Sequence, residues 1–213
     1  MKPLHIVLTA LDGALLEGWQ YYASDLEFVT TYHGSILDLE LDAVVSPANS
    51  FGYMDGGIDL VYSRHFGWDV QRTLQDRIEK VHHGELLVGQ ADIVPTENAA
   101  IPYLFSAPTM RVPMILRNSI NAYLAARAVL LLWKYGTLPG TDTPVRDVIK
   151  TIGFPGLGTG VGKMGVNTCA HQVRTAIDEV VLGKRRFPST WAEASQRHQL
   201  LYRDFTRDLQ DGF

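Results

Sequence analysis

The sequence predicts a three-layer α/β/α sandwich whose central sheet is mixed but largely parallel. Short apolar runs typical of strands alternate along the 213 residues with segments whose apolar residues recur at helical spacing. Apolar residues make up 46% of the chain and charged residues 20%, so a buried core can form. A chain of this length suits one such domain with some additional secondary structure.

Six strands are indicated by short apolar runs, most of them bounded by glycine, proline or asparagine. In chain order, the predicted strands cover residues 5–10, 26–32, 41–45, 84–93, 103–107 and 148–154. Five helices are indicated by apolar residues that repeat on one face. They cover residues 14–23, 58–65, 70–81, 118–135 and 166–182. The alternation of the two kinds of element is the pattern of a largely parallel sheet with helices on its faces.

The end of the chain differs in composition from the rest. We therefore predict a domain over residues 1–183 and a C-terminal helical extension over residues 184–213. The basic run at residues 184–186 is interpreted as a solvated linker. Thr190 and Glu193 fit a helix capping box. The side chains expected to form one helix face that docks on the domain are Trp191, Ala194, Leu201 and Phe205.

Composition also excludes several classes of protein. The formal net charge of -4 argues against general nucleic-acid binding, which usually needs a basic surface. No apolar stretch reaches the length of a membrane span, and the first 16 residues lack the long apolar region of a signal peptide. Cys169 is the single cysteine, so we expect a cytoplasmic protein without disulfides. His82-His83 has no second ligand pair at metal spacing, and we predict no metal and no cofactor.

Two glycine-rich segments each follow a predicted strand and precede a predicted helix. The first leads from Asn49 to Gly56-Gly57, and the second runs from Gly156 to Gly162. In an α/β sheet such loops lie at the carboxyl ends of the strands, where ligands bind. Glycine lets the backbone turn its N–H groups towards a ligand, and helix N-termini add partial positive charge. Either loop alone is better explained as a tight turn, but the pair predicts a clamp for a diphosphate.

The second loop fits neither of two commoner phosphate-binding motifs. A P-loop fails because Leu157 replaces its first glycine and Met164 its hydroxyl residue. Gly160, Gly162 and Gly165 match the spacing of a Rossmann fingerprint, but no following strand supplies the acidic residue that this fingerprint requires. We interpret that match as chance.

Several segments, in order and spacing from about Leu26 to Leu182, together resemble the macrodomain family, including its bacterial and phage members. Residues 42–49, Asp-Ala-Val-Val-Ser-Pro-Ala-Asn, and residues 55–59, Asp-Gly-Gly-Ile-Asp, resemble the signature "DAIVNAAN…GGGVD". Residues 84–87 resemble the start of its "GEA" strand, and residues 154–161 resemble its "FPAISTGI" loop. The resemblance implies the macrodomain fold and a ligand that is ADP-ribose or a derivative, free or attached to a protein.

The resemblance also implies roles for individual residues. Asn49 would bind the hydroxyls of the distal ribose, and Asp59 would position or activate a water molecule beside it. Ser35 and Ile36 would lie at the adenine end. The residues expected to contact the phosphates are Gly56, Gly57 and Ile58 on one side and Gly158, Thr159, Gly160, Val161 and Gly162 on the other.

Three positions depart from the family pattern. Ser35 replaces an aspartate that accepts a hydrogen bond from the adenine amino group, so adenine discrimination is expected to be weaker. Ser46 replaces the first asparagine of the signature. Gly162 replaces an aromatic residue that stacks on the distal ribose; either Phe51 or Tyr53 would replace that wall, or the pocket would take a larger group.

Two functions follow from the resemblance, and a third is less favoured. The protein would be a hydrolase that releases ADP-ribose from acidic side chains or acetate from O-acetyl-ADP-ribose, or it would be a reader that binds ADP-ribose without turnover. The presence of both Asn49 and Asp59 favours the hydrolase over the reader. A purely structural protein is disfavoured, because packing alone does not require Asn49, Gly56-Gly57 and Asp59.

Overall fold

The structure is a computed structural model that describes residues 4–207. Its strands are β1 (His5–Ala10), β2 (Val29–His33), β3 (Ala43–Ser46), β4 (Asp92–Pro95), β5 (Tyr103–Ser106) and β6 (Thr151–Phe154). Its α-helices are α1 (Gly13–Ala23), α2 (Gly57–Phe66), α3 (Asp69–Val81), α4 (Asn121–Tyr135), α5 (Val145–Val148), α6 (Val166–Val180) and α7 (Trp191–Leu200).

The strands form one six-stranded sheet in the order β2-β1-β6-β3-β5-β4. Every neighbouring pair is parallel except β4 and β5, which are antiparallel. The predicted three-layer sandwich with a mixed, largely parallel sheet is therefore confirmed.

Two apolar cores lie on opposite faces of the sheet. Trp19 of α1, Val129 of α4 and Val173 of α6 belong to one core, and Tyr62 of α2 and Leu74 of α3 belong to the other. The strands contribute apolar side chains to both cores, because successive side chains point to opposite faces of the sheet. In β3, Ala43 and Val45 belong to the first core and Val44 to the second.

The structure corrects several predicted boundaries, among them the start of β2, which is Val29 and not residue 26. The strand predicted over residues 84–93 is wrong except at its end, because Gly84 has a positive φ of 93° and Gln90 closes a turn by donating its N–H to the Leu87 carbonyl. The last strand, predicted over residues 148–154, begins at Thr151, because residue 148 ends the short helix α5 that follows Pro144. The helix predicted from residue 118 begins at Asn121.

The C-terminal extension is helical over α7, and its last six residues, 208–213, lie outside the described part of the chain. The Thr190 hydroxyl accepts a hydrogen bond from the Glu193 N–H at 3.1 Å, as a capping residue does. The docking face predicted for this helix is wrong at both ends, because Trp191 and Phe205 are exposed. A polar contact holds the segment instead, in which Gln172 Nε2 of α6 donates to the Leu201 carbonyl at 3.1 Å.

Candidate functional site

A cavity of about 460 Å³ lies at the carboxyl ends of the five parallel strands. This volume lies in the range of small-molecule sites, roughly 300–1,000 Å³. The sheet order fixes how the cavity is laid out, because its walls are the segments that follow β2, β1, β6, β3 and β5 in that order. Four strand spacings separate the two ends, a distance of about 19 Å. The cavity is therefore elongated and crosses most of the sheet.

The cavity brings together all of the site residues predicted from the sequence. Ser35 and Ile36 lie at the end that follows β2. The loops after β6 and β3 lie next to each other in the middle, since these two strands are paired. The far end, after β5, is lined by Thr109, Met110 and Pro113, which the sequence analysis did not single out.

The first glycine loop is held by the side chain of Asn49. Its Oδ1 accepts hydrogen bonds from the N–H groups of Phe51, at 3.1 Å, and Tyr53, at 3.3 Å. Its Nδ2 donates to the Tyr53 carbonyl at 2.8 Å. Gly52 turns the chain with φ 68° against Leu74 and Ile78, where an added Cβ would lie 2.8 Å from Ile78 Cδ1. One N–H of the Asn49 amide is left over for a ligand, because an amide nitrogen carries two hydrogens.

This loop leads into the N-terminus of α2. Gly56 is the N-cap residue and contributes no side-chain hydrogen bond to the helix. Gly57 has a φ of 55°, and nothing lies within 4 Å of the Cβ position at Gly56 or Gly57. The first N–H groups of an α-helix lack intrahelical partners and carry partial positive charge. The helix thus presents uncovered backbone donors to the cavity at Gly57, Ile58 and Asp59.

The second glycine loop, residues 156–162, is folded back on itself. Gly158 has a φ of 72°, and its carbonyl accepts from the Met164 N–H at 3.1 Å. Leu157 is fully buried beneath the loop, where its N–H points to the buried Cys169 Sγ at 3.3 Å. Gly160 is exposed, and nothing lies within 4 Å of its Cβ position. Leu157 and Gly158 are therefore held by packing and hydrogen bonds, whereas Gly160 is open beside the cavity.

Gly162 lies in a position that has no room for a side chain. An added Cβ would lie 2.5 Å from the Gly158 carbonyl oxygen and 2.9 Å from Leu116 Cδ1. The Gly162 carbonyl also accepts a hydrogen bond from the Leu116 N–H at 2.6 Å. The absence of an aromatic residue here is therefore part of how the loop packs.

Asp59 is a buried carboxyl on the cavity wall. It is 8% exposed, and its Oδ1 accepts a hydrogen bond from the Ser46 hydroxyl at 2.5 Å. Burial raises the pKa of Asp59 to about 7, although the bond from Ser46 lowers it. The neighbouring Tyr62 hydroxyl donates to the Val45 carbonyl, and its own pKa is raised well above 10, mainly by burial and also by Asp59. Ser46, which stands where the family signature has its first asparagine, therefore binds the carboxyl group on the cavity wall.

Charge in the cavity is entirely acidic among the residues that the structure describes. Asp12, Asp55 and Asp59 line it, and no lysine, arginine or histidine does. Asp12 caps α1, where its Oδ1 accepts from the Leu15 N–H at 2.9 Å. An anion bound here would therefore depend on backbone N–H groups, which are the donors that glycine loops and helix N-termini supply.

Ser35 carries a second role at its end of the cavity. Its hydroxyl oxygen caps the short 3-10 turn Ile36–Asp38 by accepting from the Leu37 N–H at 3.2 Å. One lone pair and the hydroxyl hydrogen stay available to a ligand.

His82, which the sequence analysis considered as a metal ligand, lies away from the cavity. His82 contacts Asp92 at 2.9 Å, and Arg77 binds the same carboxylate through two hydrogen bonds. Across residues 4–207, no group of three or more His, Cys, Asp or Glu side chains is arranged to hold a metal ion. Within the same residues, no helix combines the length and apolar character needed to cross a bilayer.

Comparison with known proteins defines the class to which this site belongs. The family model described as "Macro domain" matches residues 45–173, more than half of the chain and both glycine loops. The chain therefore belongs to the macro domain family, as the sequence motifs indicated. An uncharacterized protein of Aquifex aeolicus is 29% identical over 147 residues, which cover 69% of this chain and 77% of that protein.

Solved macrodomains share the fold. The macrodomain of Mycobacterium tuberculosis DarG aligns with a TM-score of 0.55 at 17% identity, covering 70% of this chain and 88% of that one. The Oceanobacillus iheyensis macrodomain with ADP aligns with a TM-score of 0.56 at 18% identity, covering 79% and 84%. Thermosipho africanus DarTG in complex with ADP-ribose aligns with a TM-score of 0.52 at 16% identity, covering 73% and 42%.

Proposed function

We propose that this protein binds ADP-ribose, with the diphosphate between its two glycine loops. The observation that carries the proposal is the layout of the cavity. Two sets of backbone donors, at the start of α2 and on the loop after β6, lie side by side in the middle of a cavity with room on both sides. This layout matches a ligand in which a diphosphate links two larger groups. Macrodomains solved with ADP or in complex with ADP-ribose share the fold.

The orientation of the ligand follows from which residues lie at each end. Ser35 and Ile36 would hold the adenine, next to β2. Gly57, Ile58 and Gly160 would contact the phosphates. Asn49 would offer its remaining N–H to the distal ribose. The natural ligand is either free ADP-ribose or ADP-ribose attached to a protein, and the protein acts in the cytoplasm.

Calorimetric titration tests the binding proposal. We expect ADP-ribose to bind more tightly than AMP or ribose 5-phosphate, because each of these reaches only part of the cavity. If no heat is released with millimolar ADP-ribose, the protein does not have this function.

Hydrolysis is a second candidate, and the environment of Asp59 favours it. A general base is most effective when its pKa lies near the working pH, and burial brings the pKa of Asp59 to about 7. The oxygen of a water molecule would form a bond to the ester carbonyl carbon, or to the anomeric carbon of the distal ribose. In either case Asp59 would accept a proton of the water. Attack on the carbonyl carbon would break the acyl C–O bond, and the leaving ribose oxygen would take that proton from Asp59. Attack on the anomeric carbon would break the C–O bond between this carbon and the acyl group, which would leave as a carboxylate. The substrates would be ADP-ribosylated acidic side chains or O-acetyl-ADP-ribose.

The variant Asp59→Asn separates the hydrolase from the reader. It keeps the shape of the side chain and an acceptor for Ser46, but it cannot take a proton. A hydrolase should keep its affinity for ADP-ribose and lose about 10²–10⁴-fold in turnover. Turnover equal to that of the wild type would remove Asp59 from catalysis. Binding without turnover on either substrate by the wild type would identify a reader.

A further inference from the structure

One aromatic residue lies on the cavity wall near the end that follows β5. Among the residues that the structure describes, Tyr53 is the only aromatic residue that lines the cavity, and it is 55% exposed. It follows β3, whereas Ser35 follows β2, three strands away in the sheet order. Tyr53 is therefore remote from the adenine end and close to the segment after β5.

The backbone of Tyr53 is held in place on both sides. The Asn49 amide accepts from the Tyr53 N–H and donates to the Tyr53 carbonyl, so both backbone polar groups of this residue are bonded to one side chain. A parallel bridge between Asn49 and Met110 ties the same point to the segment after β5. The partly exposed ring thus stands on a fixed base, which lowers the entropy lost when it contacts a ligand.

The opposite loop offers no such ring. The Cβ position of Gly162 is blocked by the Gly158 carbonyl oxygen at 2.5 Å and by Leu116. Phe51, the other aromatic residue of the first loop, does not line the cavity, and the Arg111 guanidinium lies 5.1 Å from the centre of its ring. An apolar wall for the second sugar can therefore come from Tyr53.

We propose that the Tyr53 ring packs against the distal ribose and determines the preference for ADP-ribose over ADP. In this proposal Asn49 is a positioning residue, because it holds the backbone of Tyr53. The inference rests on the proposed binding of ADP-ribose and assigns a residue to its distal end. Asn49 accordingly contributes to affinity through the loop that it holds, in addition to any bond from its remaining N–H.

The experiment compares ADP with ADP-ribose by calorimetry, because ADP lacks only the distal ribose. In the wild type we expect ADP-ribose to bind more tightly. Tyr53→Ala should weaken ADP-ribose about tenfold, the equivalent of about 1.4 kcal/mol, and leave ADP unchanged. Tyr53→Phe should keep most of the affinity because it keeps the ring. Tyr21→Ala is the matched control, since Tyr21 is 80% exposed and does not line the cavity.

The double variant tests the role of Asn49. If Asn49 acts through Tyr53, Asn49→Ala should weaken ADP-ribose selectively in the wild type, and its effect should be clearly smaller in the Tyr53→Ala protein, where only a bond from the remaining N–H of Asn49 is left to lose. Full additivity of the two losses would contradict the positioning role. Equal losses for ADP and ADP-ribose on Tyr53→Ala, or no loss, would overturn the assignment of Tyr53 while the binding function stands. A wild type that binds neither ligand would refute the binding function and this inference with it.

Discussion

Ionisation of the buried Asp59 carboxyl should make the folded protein less stable as the pH rises. Burial raises the pKa of this group from 3.8 to about 7, against a lowering by the hydrogen bond from Ser46. Between these values the folded protein holds a proton that the unfolded chain releases, so the stabilisation is fully present below pH 3.8 and is lost as the pH rises through about 7. At about 1.4 kcal/mol for each pH unit between the two pKa values, the wild type should lose about 3 kcal/mol from pH 5 to pH 8 through this residue.

Asp59→Asn removes the ionisable group and keeps the acceptor for Ser46. The free energy of unfolding of this variant, measured by urea denaturation at several pH values, should lack that loss. The difference between the two proteins should therefore change by about 3 kcal/mol between pH 5 and pH 8, in favour of the variant at high pH. Asp55→Asn is the matched control, because Asp55 is an exposed carboxylate on the same loop. Parallel stability curves for the wild type and Asp59→Asn would refute the reasoning.

Three further variants test the walls of the cavity. Gly160→Glu should abolish ADP-ribose binding in calorimetry without unfolding the domain, because its Cβ position is open and the new carboxylate would repel phosphate. Gly160→Gln is the neutral control. If the Glu variant binds with wild-type affinity, this loop does not contact the ligand. Ser35→Asp should increase the preference for ligands with adenine over ligands with hypoxanthine, since an ionised acceptor strengthens the bond to an amino donor. Unchanged selectivity would show that Ser35 does not contact the base. Gly162→Tyr should lower the stability by roughly 1–3 kcal/mol in thermal unfolding, because of overpacking against Leu116. A melting temperature equal to that of the wild type would show that the loop can rearrange.

The sequence was sufficient to predict the fold class and the middle of the site. Strand-sized apolar runs alternate with helical patterns, and two glycine loops follow paired strands. Such signals are local, and they are strong where backbone conformation itself is the requirement, as at Gly57 and Gly158 with their positive φ angles. For residues 84–91 the local apolar pattern wrongly predicted a strand. These residues form a turn, because Ser50 and Leu87 provide their hydrogen-bond partners.

The far end of the site could not be predicted from local patterns. Thr109, Met110 and Pro113 become part of the cavity because β5 lies beside β3, a neighbour relation that only the sheet order reveals. Pro108, directly after a predicted strand, and Pro113 were signals that could have indicated a loop at the carboxyl edge. The hydrogen-bond partners of the site side chains could not be predicted from the sequence either. Asn49 bonds within its own loop, and Ser46 reaches Asp59 across 13 residues.

Binding by backbone donors from both loops at once is the central claim, and amide chemical shifts measured during titration with ADP-ribose test it directly. We expect the N–H resonances of Gly57 and Ile58 to move together with those of Gly160 and Val161, and to saturate at the same ligand concentration. ADP should shift the same four resonances, because it carries the same diphosphate. Shifts confined to one of the two loops, or located outside the cavity at residues such as Arg77 and Thr141, would contradict the account.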